Sequence, residues 1–215
     1  LWHSSAASDV YKRQVLTGLN DSRIKTLFRP LSNTEEESYH GLINGIDASQ
    51  TPITVSDYSF AGTVFRENTG ELFANYMTAW ETSFLLAEAA EKGLINADAK
   101  SLYESGVTMA FDYWNVPLPV TYLSSEALYD PTKGVEQIIT QKWIANMVNG
   151  YEGWIEYRRT GYPALKPVAA SLNNNLIPVR MPYPAEEATL NSANYEMAAT
   201  ATNGNSINMP VWWDQ

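Results

Sequence analysis

Between residues 77 and 164 the apolar positions recur at intervals of three and four, and on either side that rhythm fades. In MTAWETSFLLAEAAEKG, residues 77–93, Trp80, Phe84 and Ala87 share one face and Leu85 widens the stripe. That spacing predicts a helix with a single apolar side. Thr78 stands where an N-cap is wanted, and Gly93 stands where the chain must turn out of the helix. Asn96 is read as the cap of a second helix, ADAKSLYESGVTMAFDYW. Its apolar set is Leu102, Tyr103, Val107, Ala110, Phe111 and Trp114. Gly106 and Ala99 lie on that face, where small side chains let another helix come close. The short link predicts an antiparallel helical hairpin.

VPLPVTYLSSEALYDPTKG then interrupts with three prolines and reads as a connecting loop, with one short turn near Ser125–Leu128. A third helix is expected at about 133–149, with Val135, Ile138, Ile139, Trp143 and Met147 as its buried stripe. The fourth is YEGWIEYRRTG, 151–161, stopped by Gly161 and by Pro163 beyond it. On that helix Trp154, Tyr157 and Arg158 share a face, and the reading is that this face packs while Arg158 covers an aromatic ring. Glu156 and Arg159 are expected to pair on its surface. Helix, turn, helix thus occurs twice, and residues 77–164 read as two stacked hairpins of the tetratricopeptide kind.

The flanks differ. In 15–76, RPLSN, YHGLING, ASQTP and ENTG carry turn chemistry, TPITV and GTVF could be brief strands, and the segment is expected to be irregular. Residues 165–215 are Pro-rich and then Asn-rich, end in VWWDQ, and are expected to lie irregularly across the scaffold. Leu1–Gln14 resembles a translated adaptor scar, so the natural start of the protein is expected to be missing. The whole is read as one truncated domain.

Composition narrows the chemistry. The net charge is −10, with 14 Lys and Arg against 24 Asp and Glu, which speaks against general affinity for nucleic-acid phosphates. Without cysteine there is no disulfide, thiolate metal site or Cys nucleophile. No apolar run reaches the roughly 20 residues of a membrane-spanning helix. Of the two histidines, His3 lies in the expected scar and His40 has no nucleophile motif beside it. Zinc spacing is absent, GLING lacks the ending of a phosphate loop, and no cofactor is expected. A Ca²⁺ site is left open. Acidic pairs such as Glu81 with Glu88, or Glu152 with Glu156, could be glycosidase carboxylates, but helix spacing explains them equally well as a solvated face or as i,i+3 and i,i+4 partners of nearby basic residues.

The positive signal is aromatic content: 7 Trp, 13 Tyr and 6 Phe, 12% of the chain. Rings with a polar handle suit stacking on the C–H face of a sugar. Trp80, Trp143, Phe84 and Phe111 fall on buried stripes, whereas Tyr39, Tyr58, Phe65, Tyr113 and Tyr122 lie in loops or at a helix end.

Read together, IITQKWIANMVNGYEGWIEYRRTGYPAL resembles the closing helical pair of the SusD/RagB family of outer-membrane nutrient-binding lipoproteins, in its SusD-like branch. MTAWETSFLLAEAAEKG and LYESGVTMAFDYWNV are similar to scaffold helices of that family. IPVRMPYPAEEATLNSANYEMAA, the final VWWD and the upstream YHGLINGID add to the likeness, which covers about 39–214. The resemblance implies an all-α fold of tetratricopeptide-like helix pairs overlaid by long irregular segments. It implies a binding protein and no enzyme, one that captures glycans or other nutrients on the external face of the outer membrane. The implied partner is a TonB-dependent, SusC-like transporter, and the implied membrane attachment is a lipid anchor that this sequence lacks. No binding motif transfers with the family. Tyr39, His40, Tyr58 and Phe65 are the candidate ligand contacts, on loop position and side-chain type. The rival readings are a helical-repeat interaction domain without a small ligand, and an α-helical glycan-processing enzyme.

Overall fold

The computed structural model describes residues 10–31, 38–47, 49, 52–65, 67, 75–147 and 149–214. Residues 1–9 of the expected scar lie outside them, as do parts of the RPLSN, ASQTP and ENTG turns. Eight α-helices are present among the described residues: α1 (Val10–Gly18), α2 (Ile24–Leu27), α3 (Ala79–Glu91), α4 (Ala99–Tyr113), α5 (Gly134–Ala145), α6 (Gly150–Thr160), α7 (Glu187–Leu190) and α8 (Ser192–Ala201). The extended pairing seen among them is a single antiparallel bridge between Phe28 and Ala61. The fold is all-α, as the pattern required.

α3 and α4 form the first hairpin. The Thr78 side chain accepts from the Glu81 backbone N–H, so the expected N-cap is in place. α4 is capped by Asp98, which accepts from the Lys100 N–H at 3.2 Å. Asn96 therefore lies outside the helix, two residues before the cap. The hairpin closes tightly because Gly106 faces Phe84: a Cβ at 106 would sit 2.7 Å from the ring. Trp80, Phe84 and Ala87 meet Tyr103, Val107, Ala110 and Phe111, with Tyr122, Ala127 and Tyr129 of the connecting loop and Ile138 of α5 completing this core. Leu85 does not widen the stripe; it is exposed, and Ser83 holds the inner position, its hydroxyl donating to the Leu102 carbonyl at 3.0 Å.

α5 ends at Ala145, four residues earlier than the pattern suggested. It is buried on more than one face. Ile138, Ile139, Trp143 and Ile144 are joined there by the polar Gln141 and Lys142, whereas Val135 and Met147 are half-buried. α6 crosses it at Gly153, where a Cβ would stand 2.7 Å from the Trp143 ring.

The flanks hold more regular structure than the sequence suggested. α1 runs through the boundary drawn at residue 14, and its Tyr11 ring lies 5.5 Å from that of Trp143. Leu16, Leu27, Phe28 and Val64 form a second core with Trp114, Trp143 and Ile144. α8 supplies ten helical residues in the C-terminal segment, which contact few apolar partners and bury none of their own side chains. These flanks are also tied to each other: Ala169 and Ala170 donate backbone hydrogen bonds to Asn44 and Gly45 at 2.9 and 3.0 Å.

Candidate functional site

Two polar clusters buried in the scaffold account for most of the chemistry-bearing side chains. In the first, Asp21 accepts from Arg23 through both carboxylate oxygens, at 2.6 to 3.2 Å, and from the Tyr122 hydroxyl at 2.7 Å. Arg23 also donates to Gln141 at 2.7 Å, and its guanidinium lies 4.3 Å over the Phe111 ring. Both ion-paired side chains are 0% exposed. Burial, followed by the Asp21 charge, pushes the Tyr122 hydroxyl well above its ordinary pKa, so it stays a neutral donor. The cluster fastens the α1–α2 corner to α5.

The second cluster joins α3, α5 and α6. Lys142 meets Glu156 at 2.7 Å and lies 3.7 Å from Glu81. Arg159 pairs with both Glu156 and Glu88, and Lys92 reaches Glu88 at 2.6 Å. Burial disfavours the Glu88 carboxylate, but hydrogen bonds from Arg159 and Lys92 outweigh it and hold its pKa below the ordinary 4.5. Glu88 and Glu156 are 5% and 4% exposed, so neither lies on a solvated face, and both have their oxygens engaged by cations. The pairing of Glu156 with Arg159 is thus part of an interhelical network. The most deeply buried residues of α6 are Gly153 and Glu156, which the apolar pattern did not single out.

Trp154, Tyr157 and Arg158 are half-buried, and the exposed side chains of the helix are Tyr151, Ile155 and Arg159. The Arg158 guanidinium does cover Trp154, at 4.3 Å, and on its other side lies Trp213, at 4.5 Å. Trp154 is held in plane by its indole N–H, which donates to the Pro178 carbonyl at 2.6 Å. Beside this stack opens a cavity of about 350 Å³ at the C-terminal end of α6, walled by residues 157–161, Arg158 and Arg159 among them, with Val179, Trp213 and Asp214. A smaller one, about 160 Å³, lies between Glu126 and α5.

The four loop candidates take different positions. Backbone and side-chain hydrogen bonds pair His40 with Ser59, at 2.8 and 3.0 Å, which brings the Tyr39–His40 segment alongside Tyr58. His40 is exposed and Tyr58 half-buried. Tyr39 and Phe65 instead pack against the second core, with the Phe65 ring edge-on to Trp114 at 5.9 Å. Trp213 and Asp214 had no periodic signal; the final VWWD marked them as part of the family likeness and not as site residues. Among the described residues no group of three or more His, Asp or Glu side chains could hold a metal ion, and no helix is long and apolar enough to cross a membrane.

Stacked helical hairpins, joined by buried ionic clusters and bearing an open cavity with aromatic and polar walls, define a helical-repeat scaffold. Residues 6–184 match the SusD-like family described as "Starch-binding associating with outer membrane", and the chain belongs to it. Solved structures agree. A chitin-binding SusD homolog from Flavobacterium johnsoniae superposes with a TM-score of 0.79 at 26% identity, over 97% of this chain and 49% of that one. A SusD-like protein from Bacteroides thetaiotaomicron gives 0.78 at 27% identity, over 95% and 49%. A SusD homolog from Bacteroides vulgatus gives 0.77 at 30% identity, over 96% and 48%. The chain spans about half the length of these structures. No curated protein matches it.

Proposed function

We propose that the protein binds nutrient glycans on the external face of the outer membrane and passes them to a TonB-dependent, SusC-like transporter, without chemically altering them. The observation that carries this is the likeness along 97% of the chain to a solved chitin-binding homolog, within a family described by starch binding at the outer membrane. The site chemistry is consistent with binding. Glu88 and Glu156 are neutralised by ion-paired cations, which is the wrong environment for a general acid that must hold and release a proton.

Tyr39, His40 and Tyr58 are the proposed ligand contacts of the loop region. Phe65 belongs with them in sequence position, though its ring also supports Trp114. Calorimetric titration with starch and chitin oligosaccharides tests the reading, alongside an assay for released product. Saturable binding without product is expected, weakened by alanine at Tyr39, His40 or Tyr58. Product release, or indifference to every oligosaccharide, would overturn it.

A further inference from the structure

The cavity at the end of α6 brings together two charged groups that no ion pair engages among the described residues. There the Arg158 side chain makes no hydrogen bond or ion pair, and its Nε is buried without a partner. The Asp214 carboxylate likewise has no side-chain partner; only its backbone N–H is engaged, donating to the Val211 carbonyl at 3.0 Å. Arg159, on the same cavity wall, differs: Glu88 and Glu156 already hold its charge. A donor fork and an acceptor left idle on one wall are suited to a ligand that both accepts and donates.

Trp213 sets the shape of that ligand. One face of its indole is covered by the Arg158 guanidinium, yet the residue remains 41% exposed, so the open area is its other face and edge. The stack with Arg158 and the Trp154–Pro178 hydrogen bond hold the platform before anything binds. About 350 Å³ falls at the small end of ligand cavities, roughly 300–1,000 Å³. A flat, small partner with an apolar face and polar edges meets all of these conditions. Charge selects further: Asp214 on the wall and a net −10 on the chain oppose an anionic ligand.

We infer that this cavity is a saccharide subsite for a neutral sugar ring, stacked by its C–H face on Trp213, with one hydroxyl accepting from Arg158 and a neighbouring hydroxyl donating to Asp214. It rests on the glycan-binding reading and adds a contact set separate from Tyr39, His40 and Tyr58.

The test is calorimetric titration of the protein and its variants with oligomers of α-1,4-glucose, of N-acetylglucosamine and of galacturonate. Trp213→Ala and Asp214→Asn should each weaken the neutral oligomer that binds by about tenfold or more, the loss of a stacked ring or of a charge-assisted hydrogen bond. Trp212→Ala, at an 85% exposed neighbour outside the cavity, should leave affinity unchanged. Asp214→Asn keeps size and packing, so its effect survives should Trp213→Ala fold poorly. Unchanged affinity in Asp214→Asn, with loop variants still impaired, would overturn the subsite and leave the glycan-binding reading standing. Preference for galacturonate would overturn the neutral-sugar assignment, and no binding by the unmodified protein would remove both.

Discussion

Arg158 and Arg159 are neighbours on α6 and meet opposite environments. Arg159 is the more exposed of the two and is ion-paired to Glu88 and Glu156; Arg158 is half-buried, lies between two indoles and makes no ion pair among the described residues. One residue of helix rotation, about 100°, separates a scaffold cation from a candidate ligand cation. A charge held by buried partners cannot be spared for a ligand without exposing those partners' desolvation cost. A charge held only by ring faces keeps its hydrogen-bonding edge available. Adjacent basic residues on one helix are therefore no guide to shared function.

The largest effect should come from breaking the inward side. Glu156→Ala would leave Lys142, 5% exposed, with only the more distant Glu81, at a cost of about 3 kcal/mol in denaturant unfolding. A loss below about 1 kcal/mol would mean that the network is not holding α6 to α5. Gly106→Ala tests the first hairpin independently. Its methyl group would push into Phe84, and about 1–3 kcal/mol of destabilisation is expected.

A smaller, pH-dependent effect follows from Glu88. Its folded pKa lies below 4.5, so its contribution is complete above the ordinary carboxylate range. That contribution is lost as pH falls from about 4.5 through the lowered folded value. Glu88→Gln should therefore lower stability at neutral pH and flatten the acid limb of the stability–pH curve. An unaltered acid limb would contradict the pairing with Arg159 and Lys92.

The scaffold was readable because its apolar stripes repeat: Trp80, Phe84, Ala87, Tyr103, Val107 and Phe111 are core in the structure as they are in the pattern. Periodicity could not reveal the polar residues inside. Glu156 and Lys142 look like solvated positions until the fold pairs them with each other across 14 residues, and the further carboxylate near Lys142, Glu81, comes from α3. Asp21 and Arg23 lie two apart in a stretch without helical rhythm, and Tyr122 and Gln141, about a hundred residues on, are what make them core. The deepest positions of α6 were hidden for the same reason. Trp154 and Tyr157 outrank Gly153 on any hydrophobic scale, yet Gly153 is the position where the Trp143 ring fits. Of the cavity, Arg158 stood out in YEGWIEYRRTG and Trp213 in VWWD, but 55 residues separate them and no local spacing joins them. Tyr39, His40 and Tyr58 were chosen as loop residues, and the His40–Ser59 pairing that brings their segments together is likewise non-local.

The smallest expected stability change belongs to Arg158→Ala, less than about 1 kcal/mol, since it removes half-exposed ring stacking and no ion pair. That makes the two arginines a matched pair. The decisive measurement is glycan affinity and unfolding free energy of Arg158→Ala and Arg159→Ala side by side. Arg159→Ala should lose stability, by about 1–2 kcal/mol, and lose less affinity than Arg158→Ala, because its charge is already held by Glu88 and Glu156; Arg158→Ala should keep stability and lose affinity about tenfold. Affinity lost in Arg159→Ala and retained in Arg158→Ala would contradict the assignment of Arg158 to the ligand and of Arg159 to the scaffold.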